Sequence, residues 1–216
     1  MRAWYMATRG MIMAGVVAVA GVTPGIAAPA ASSADPSMVI NSLNGNLLAV
    51  MQNAQKLGYK GRYAALEPVV RQVFDLPYMT RIAVGSGWST LSADQQAQLT
   101  EAFRKFITAT YARRFDGYSG EKFITDGAKP MGDSTLVATR LIKSDGEPVV
   151  LNYVTHQDDG QSGQWQVVDI YLTGTISEMA TRRSEFASVF RRSGYDGLLQ
   201  ILQQKVAQIE SDSHLS

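Results

Sequence analysis

The chain has 216 residues, with 20 Lys and Arg against 19 Asp and Glu, two His and no Cys. That near-neutral balance argues against a nucleic-acid binder, and the lack of Cys excludes disulfide staples and thiolate metal sites, so stability must come from packing. About 185 residues beyond the apolar start suffice for one good core, or for a core plus a smaller helical lobe.

Residues 1–30 predict a signal peptide. Arg2 and Arg9 stand without an acid ahead of an apolar run over 10–22, the helix-breaking Thr23-Pro24-Gly25 and the small-x-small site Ala28-Pro29-Ala30. The run is shorter than the ~20 residues a membrane span needs. Cleavage is expected near Ala30, with Ala27 as the alternative, and no Cys follows that could carry a lipid anchor. Loss of Arg2 and Arg9 takes the formal charge from +1 to about −1. Export also removes ATP, which argues against kinase and ATPase readings.

The mature part reads as one domain over 31–212, with helices in 35–118, a sheet in 121–174 and helices again in 177–210. Asp35 and Pro36 form an N-cap and first-turn pair for a helix whose apolar side is Met38, Leu43, Leu47, Val50 and Met51, and which Gly58 ends. A second helix is expected over 60–74, kinked or interrupted by Pro68. Leu76-Pro77 breaks the pattern, and 78–84 restart it until Gly85-Ser86-Gly87. Ser92 and Gln95 make a capping box for the clearest helix, on which Leu99, Phe103, Phe106, Thr110 and Tyr111 recur at helical spacing.

From Glu121 the period becomes strand-like, with strands near 121–131, 134–144, 147–156 and 163–173. Asp145-Gly146 signals a tight hairpin, and 158–163 form a longer loop. Four strands with short links predict an antiparallel meander. Val149, Leu151 and Tyr153 point one way and Val150, Val154 and His156 the other, so both faces should be covered, by helices on one side and something else on the other. Two closing helices are expected over 177–192 and 195–210, broken at Ser193-Gly194. Helices, meander, helices is an α+β arrangement.

Catalytic patterns are thin. His156 and His214 are the only histidines, and neither has a His or carboxylate at ligand spacing, so no metal site is expected. Gly85-Ser86-Gly87-Trp88-Ser89 lacks the spacing of a nucleophile elbow. Ser119-Gly120-Glu121-Lys122 matches Ser-x-x-Lys without the other motifs that mechanism needs, and Asp158-Asp159 sits in a Gly-rich turn. The pairs Arg113-Arg114, Arg182-Arg183 and Arg191-Arg192 fall at or near helix ends, where they can favour the helix dipole or dock an acidic partner or anionic lipid surface.

Phe74-Asp75, Met79-Thr80-Arg81, Val84-Gly85, Trp88, Gln95-Gln96, Phe103, Phe106 and Tyr111, followed by Trp165-Gln166-Val167-Val168-Asp169-Ile170 and then Ser177, Arg183 and Phe186, resemble the periplasmic lipid carriers of the Mla system. These are the MlaC-like, or toluene-tolerance, proteins. The likeness runs from about residue 35 to 210. Gly174 stands one residue earlier than in the phospholipid-carrier pattern and Arg182 replaces the usual Tyr, features more like the hopanoid-associated HpnM branch.

The resemblance implies an NTF2-like sheet of four antiparallel strands joined to a helical subdomain, with lipid tails in a cavity between them. It implies no cofactor and no enzyme activity. The partners it implies are an inner-membrane ABC transporter complex and an outer-membrane lipoprotein complex, and the ligand a phospholipid or hopanoid-like lipid. The apolar material for such a cavity is Phe74, Tyr78, Met79, Val84, Trp88, Phe103, Phe106, Tyr111, Val150, Tyr153, Val154, Val168, Ile170 and Leu172. Trp165 and Asp169 read as structural, with Asp169 fixing a loop or a helix start. An NTF2-like enzyme using His156 or a cavity carboxylate as base, and a structural envelope adaptor, are the alternative readings.

Overall fold

Helix α1 (Pro36–Gln52) begins where Asp35 accepts the Ser37 backbone N–H at 2.8 Å and Pro36 occupies the first turn. The computed structural model describes residues 35–157 and 163–213, all within one compact unit, Ser33–Ser216. The expected signal peptide, Asp158-Asp159 and His214 lie outside the described residues.

The buried side of α1 is Ile40, Leu43, Asn44, Leu47, Val50 and Met51. Met38, expected there, is 63% exposed, because it lies about 160° round the helix from Ile40. The helix ends at Gln52 and α2 (Ala54–Val73) follows, so Gly58 does not end the first helix but kinks the second, with φ 59° and ψ −179°. Pro68 does not interrupt α2. Leu66, Val70 and Val73 bury one stripe on both sides of it, and that packing outweighs the one backbone hydrogen bond proline removes.

Phe74 is extended and forms a parallel bridge with Val167, which turns the chain toward the sheet. Helix α3 (Leu76–Val84) starts at Leu76, with Pro77 inside its first turn. The dipeptide expected to break the pattern therefore opens a helix, because proline's missing N–H is one the first turn cannot use anyway. A 3-10 segment, Gly85–Thr90, leads to α4 (Ala93–Arg114), whose Ser92/Gln95 capping box is complete at 3.0 and 3.2 Å. Gly87 makes room there for Phe190, whose ring would have to move if a Cβ were added 2.2 Å away.

The sheet is antiparallel throughout, in sequence order: β1 (Lys122–Met131), β2 (Ser134–Ile142), β3 (Pro148–Gln157), β4 (Trp165–Leu172) and β5 (Ile176–Ser177). The fold class is α+β, with a two-residue fifth strand added to the four expected. The helical core meets the face that carries Val137, Leu151, Tyr153, Val167, Ile170 and Leu172. A bulge interrupts the β3–β4 register: Val154 opposes Asp169 while Thr155 opposes Val167. The extra residue lets Val167 and Ile170, three apart, both reach the core.

The chain closes with α5 (Glu178–Asp212), which changes direction at Gly194 (φ 64°, ψ −161°). Lys205 Nζ meets Glu185 Oε1 at 2.6 Å, whereas a straight helix would hold the two about 30 Å apart, so the arms fold back on each other. Asp169 organises the entry to the first arm. Its Oδ1 accepts the Ile170 and Met179 backbone N–H groups at 2.7 and 3.0 Å, and its Oδ2 accepts the hydroxyl of Ser177, the N-cap of α5, at 2.6 Å.

Candidate functional site

Helices α2, α3 and α4 and the first arm of α5 bring most of the expected apolar residues into one cluster against the sheet. Phe74, Met79, Val84, Phe103, Phe106, Tyr111, Tyr153 and Ile170 are buried there, and Trp88 and Leu172 pack half-buried against it. The aromatic rings meet edge-on: Phe74 with Tyr111 at 5.6 Å, Phe103 with Phe186 at 6.3 Å and Phe106 with Phe186 at 5.9 Å. The Tyr111 and Tyr153 phenols face each other in the interior, and burial pushes both well above their usual pKa, so both stay neutral.

Four expected residues, Val150, Val154, Val168 and Tyr78, are not in this cluster. Val150 and Val154 alternate with Leu151 and Tyr153 and therefore project from the other face of the sheet, and Val168 stands at the β4 bulge. Val154 and Val168 are nonetheless buried, and Val150 is half-buried. Tyr78 packs its ring 5.0 Å from the His156 ring, with the Arg81 guanidinium 5.0 Å over its face. Val137 and Val167, fully buried at the centre of the inward face, were absent from the expected set. A period-two reading through β4 selects 168, 170 and 172, and a bulge is what turns 167 inward in place of 168.

A groove of ≈ 740 Å³ leads to this cluster from outside, with Phe74, Leu76, Pro77 and Trp88 among its apolar lining and Gln96, Thr100, Glu101 and Arg104 among its polar lining. Phe74 is only 1% exposed and belongs equally to the core, so it closes the inner end. The corner that carries it is clasped to the sheet. The Asp75 backbone N–H donates to the Val167 carbonyl at 3.0 Å, and the Asp75 carboxylate takes the Tyr78 backbone N–H at 2.9 Å and His156 Nε2 at 2.8 Å.

The sequence spacing gave His156 no carboxylate partner, and Asp75, 81 residues away in the chain, supplies one. On the groove's polar wall Arg104 is held by Glu67 at 2.5 Å and by both oxygens of Glu101. That hydrogen bonding holds the Glu101 carboxyl below its usual range.

The arginine pairs divide. Arg113 meets Asp212 at 3.2 Å, Arg114 lies 3.9 Å from Glu178, and Arg182 is held by Glu178 and Glu185 with its guanidinium 4.9 Å over the Phe106 ring. Arg183, Arg191 and Arg192 are exposed and form no ion pair among the described residues. Among the described residues no three His, Cys, Asp or Glu side chains gather as metal ligands, and no helix is long and apolar enough to cross a membrane.

Comparison with known proteins matches this arrangement. Residues 41–204 fit the family model described as MlaC protein. The intermembrane phospholipid transport system binding protein MlaC of Haemophilus influenzae is 26% identical over 136 residues, which are 62% of this chain and 63% of that protein. The chain thus spans somewhat less than two thirds of that relative. A solved structure of a phospholipid-binding protein from Ralstonia solanacearum, in complex with a phospholipid, aligns with a TM-score of 0.68 at 26% identity, over 82% of this chain and 99% of that one. The clasped Phe74-Asp75 corner, the aromatic face of α4 and the β4 strand all lie within the matched span, and the chain belongs to the MlaC family.

Proposed function

We propose that this protein is a non-enzymatic carrier that holds the acyl tails of a phospholipid between its sheet and its helices and moves the lipid between membranes. The observation that carries the reading is the aromatic and aliphatic cluster on the inward face of the sheet, which shares Phe74 with a surface groove. A free lipid resists leaving a bilayer by about 0.8 kcal/mol per buried methylene, so two ordinary acyl chains need a protein interior as substitute. The relative in Haemophilus influenzae is named for intermembrane phospholipid transport and the structural neighbour holds a phospholipid, which supports the same ligand class here.

The site of action on this reading is the periplasm, with the segment 1–30 as export signal. An inner-membrane ABC transporter complex and an outer-membrane lipoprotein complex are the partners. Exposed Arg183, Arg191 and Arg192 suit an acidic surface on such a partner better than the internally paired Arg113, Arg114 and Arg182 do.

Native mass spectrometry of protein purified without detergent tests the proposal. A diacyl phospholipid bound one to one is the expected result. A triterpenoid lipid in its place would overturn the ligand but keep the carrier, and protein that is lipid-free and takes no lipid from vesicles would overturn both.

A further inference from the structure

Asn44 sits in the middle of the buried stripe of α1, between Ile40, Leu43 and Leu47, each fully buried, and is itself only 5% exposed. Neither Nδ2 nor Oδ1 has a hydrogen-bond partner. Thr139 and Thr155, both fully buried, are satisfied, Thr139 donating to the Leu151 carbonyl and Thr155 to the Thr135 carbonyl at 3.1 Å, whereas Trp165 Nε1 and Arg182 Nε share Asn44's lack of a partner but each leave only one atom unpaired. An amide buried with nothing to bond carries its full desolvation penalty, and native proteins keep few such groups without a use for them.

The helical wheel places this amide on the sheet side of α1. Asn44 lies about 60° round the helix from Asn41, whose Oδ1 accepts the Thr125 hydroxyl of β1 at 2.6 Å. It lies about 120° from Val50, which lines the groove that α1 makes with Lys56, Leu57 and Ala65 of α2. The orphan amide is therefore in the interface where the lipid-carrier reading puts the tails.

We infer that Asn44 is a ligand-binding residue whose Nδ2 donates to an ester carbonyl of a bound diacyl lipid. This rests on the carrier reading and adds the chemical feature that the site recognises. Of the oxygens in a phospholipid, the phosphate is charged, and a fully buried, apolar stripe with no cation in it would penalise it heavily. The ester carbonyls are neutral, adjoin the tails and match the two N–H donors of one amide. The penalty at Nδ2 is present when α1 lies closed on the empty sheet and is relieved when a diester occupies the interface, whereas Oδ1 gains no donor from an ester; the Nδ2 share alone biases the protein toward the loaded form.

Binding of a diacyl phosphatidylglycerol and of its dialkyl ether analogue, which lacks only the carbonyls, tests the assignment by competition in native mass spectrometry. Wild-type protein should prefer the ester by roughly five-fold, the worth of one neutral hydrogen bond, and Asn44→Leu should bring the ratio to about one while melting at a higher temperature. Asn44→Ala gives the same reading if leucine does not fit. An ester preference that survives in the variants, or none in wild type, overturns the inference and leaves the carrier reading intact. A wild-type protein that binds neither lipid overturns both, and unchanged lipid binding with only a raised melting temperature marks Asn44 as a structural orphan.

Discussion

His156 Nε2, at the end of β3, lies 2.8 Å from Asp75 Oδ2, the residue that caps α3. One carboxylate thus serves two elements, with Oδ1 on the Tyr78 backbone N–H and Oδ2 on the sheet, and it adjoins Phe74, which closes the inner end of the groove. Breaking the clasp should loosen the α2–α3 corner before it unfolds the protein.

Asp75→Ala is expected to cost about 2 kcal/mol in urea unfolding, roughly half from the lost cap and half from the lost His156 contact. In a His156→Ala background the same substitution should cost only the cap, about 1 kcal/mol. Equal costs in the two backgrounds would show the contact to be energetically idle. Amide exchange should quicken over 76–84 in the Asp75 variant and spread little beyond it.

The Tyr111–Tyr153 pair gives a non-additive prediction. Tyr111→Phe strands the Tyr153 hydroxyl and Tyr153→Phe strands that of Tyr111, each costing about 1–2 kcal/mol because both side chains are fully buried. The double variant removes both polar groups and should lie close to wild type. A double-mutant cycle in chemical denaturation checks this, and additive costs would contradict the pairing.

Stability in acid should carry the signature of Glu101. Hydrogen bonding to Arg104 depresses its carboxyl below the unfolded value of 4.5, so its contribution is complete above that value and is lost as the pH falls through the lower, folded value. The melting-temperature gap between wild type and Glu101→Gln should therefore be constant from pH 7 to about 5 and close below that. Glu101 is 44% exposed, so the gap will be small and will shrink further in high salt.

How much of this was legible in the sequence depended on whether the governing physics was local. The Ser92/Gln95 box, the Asp145-Gly146 hairpin and the turn at Gly194 are decided by neighbouring residues, and each formed where the sequence placed it. Pro68 was misjudged because the burial of Leu66, Val70 and Val73 against other elements overrides the local cost of proline. The site divided in the same way. The aromatic face of α4 follows from helical periodicity, whereas the Asp75–His156 clasp and the orphaned Asn44 exist only once distant segments meet. On β4 a single bulge exchanged Val168 for Val167 on the inward face, and nothing in the composition of 165–172 announces it.

That exchange supplies the test that separates the two faces. Leu172 projects into the sheet–helix interface and Val150 away from it. A tryptophan at position 172 adds bulk where lipid tails are proposed to lie, and one at position 150 adds it on the opposite side. Leu172→Trp should lower the phospholipid recovered from purified protein at least ten-fold, while Val150→Trp should leave it within two-fold of wild type, with circular dichroism confirming that both fold. Loss of lipid in the Val150 variant alone would move the tails to the outer face of the sheet, where Val154 and Val168 are also buried.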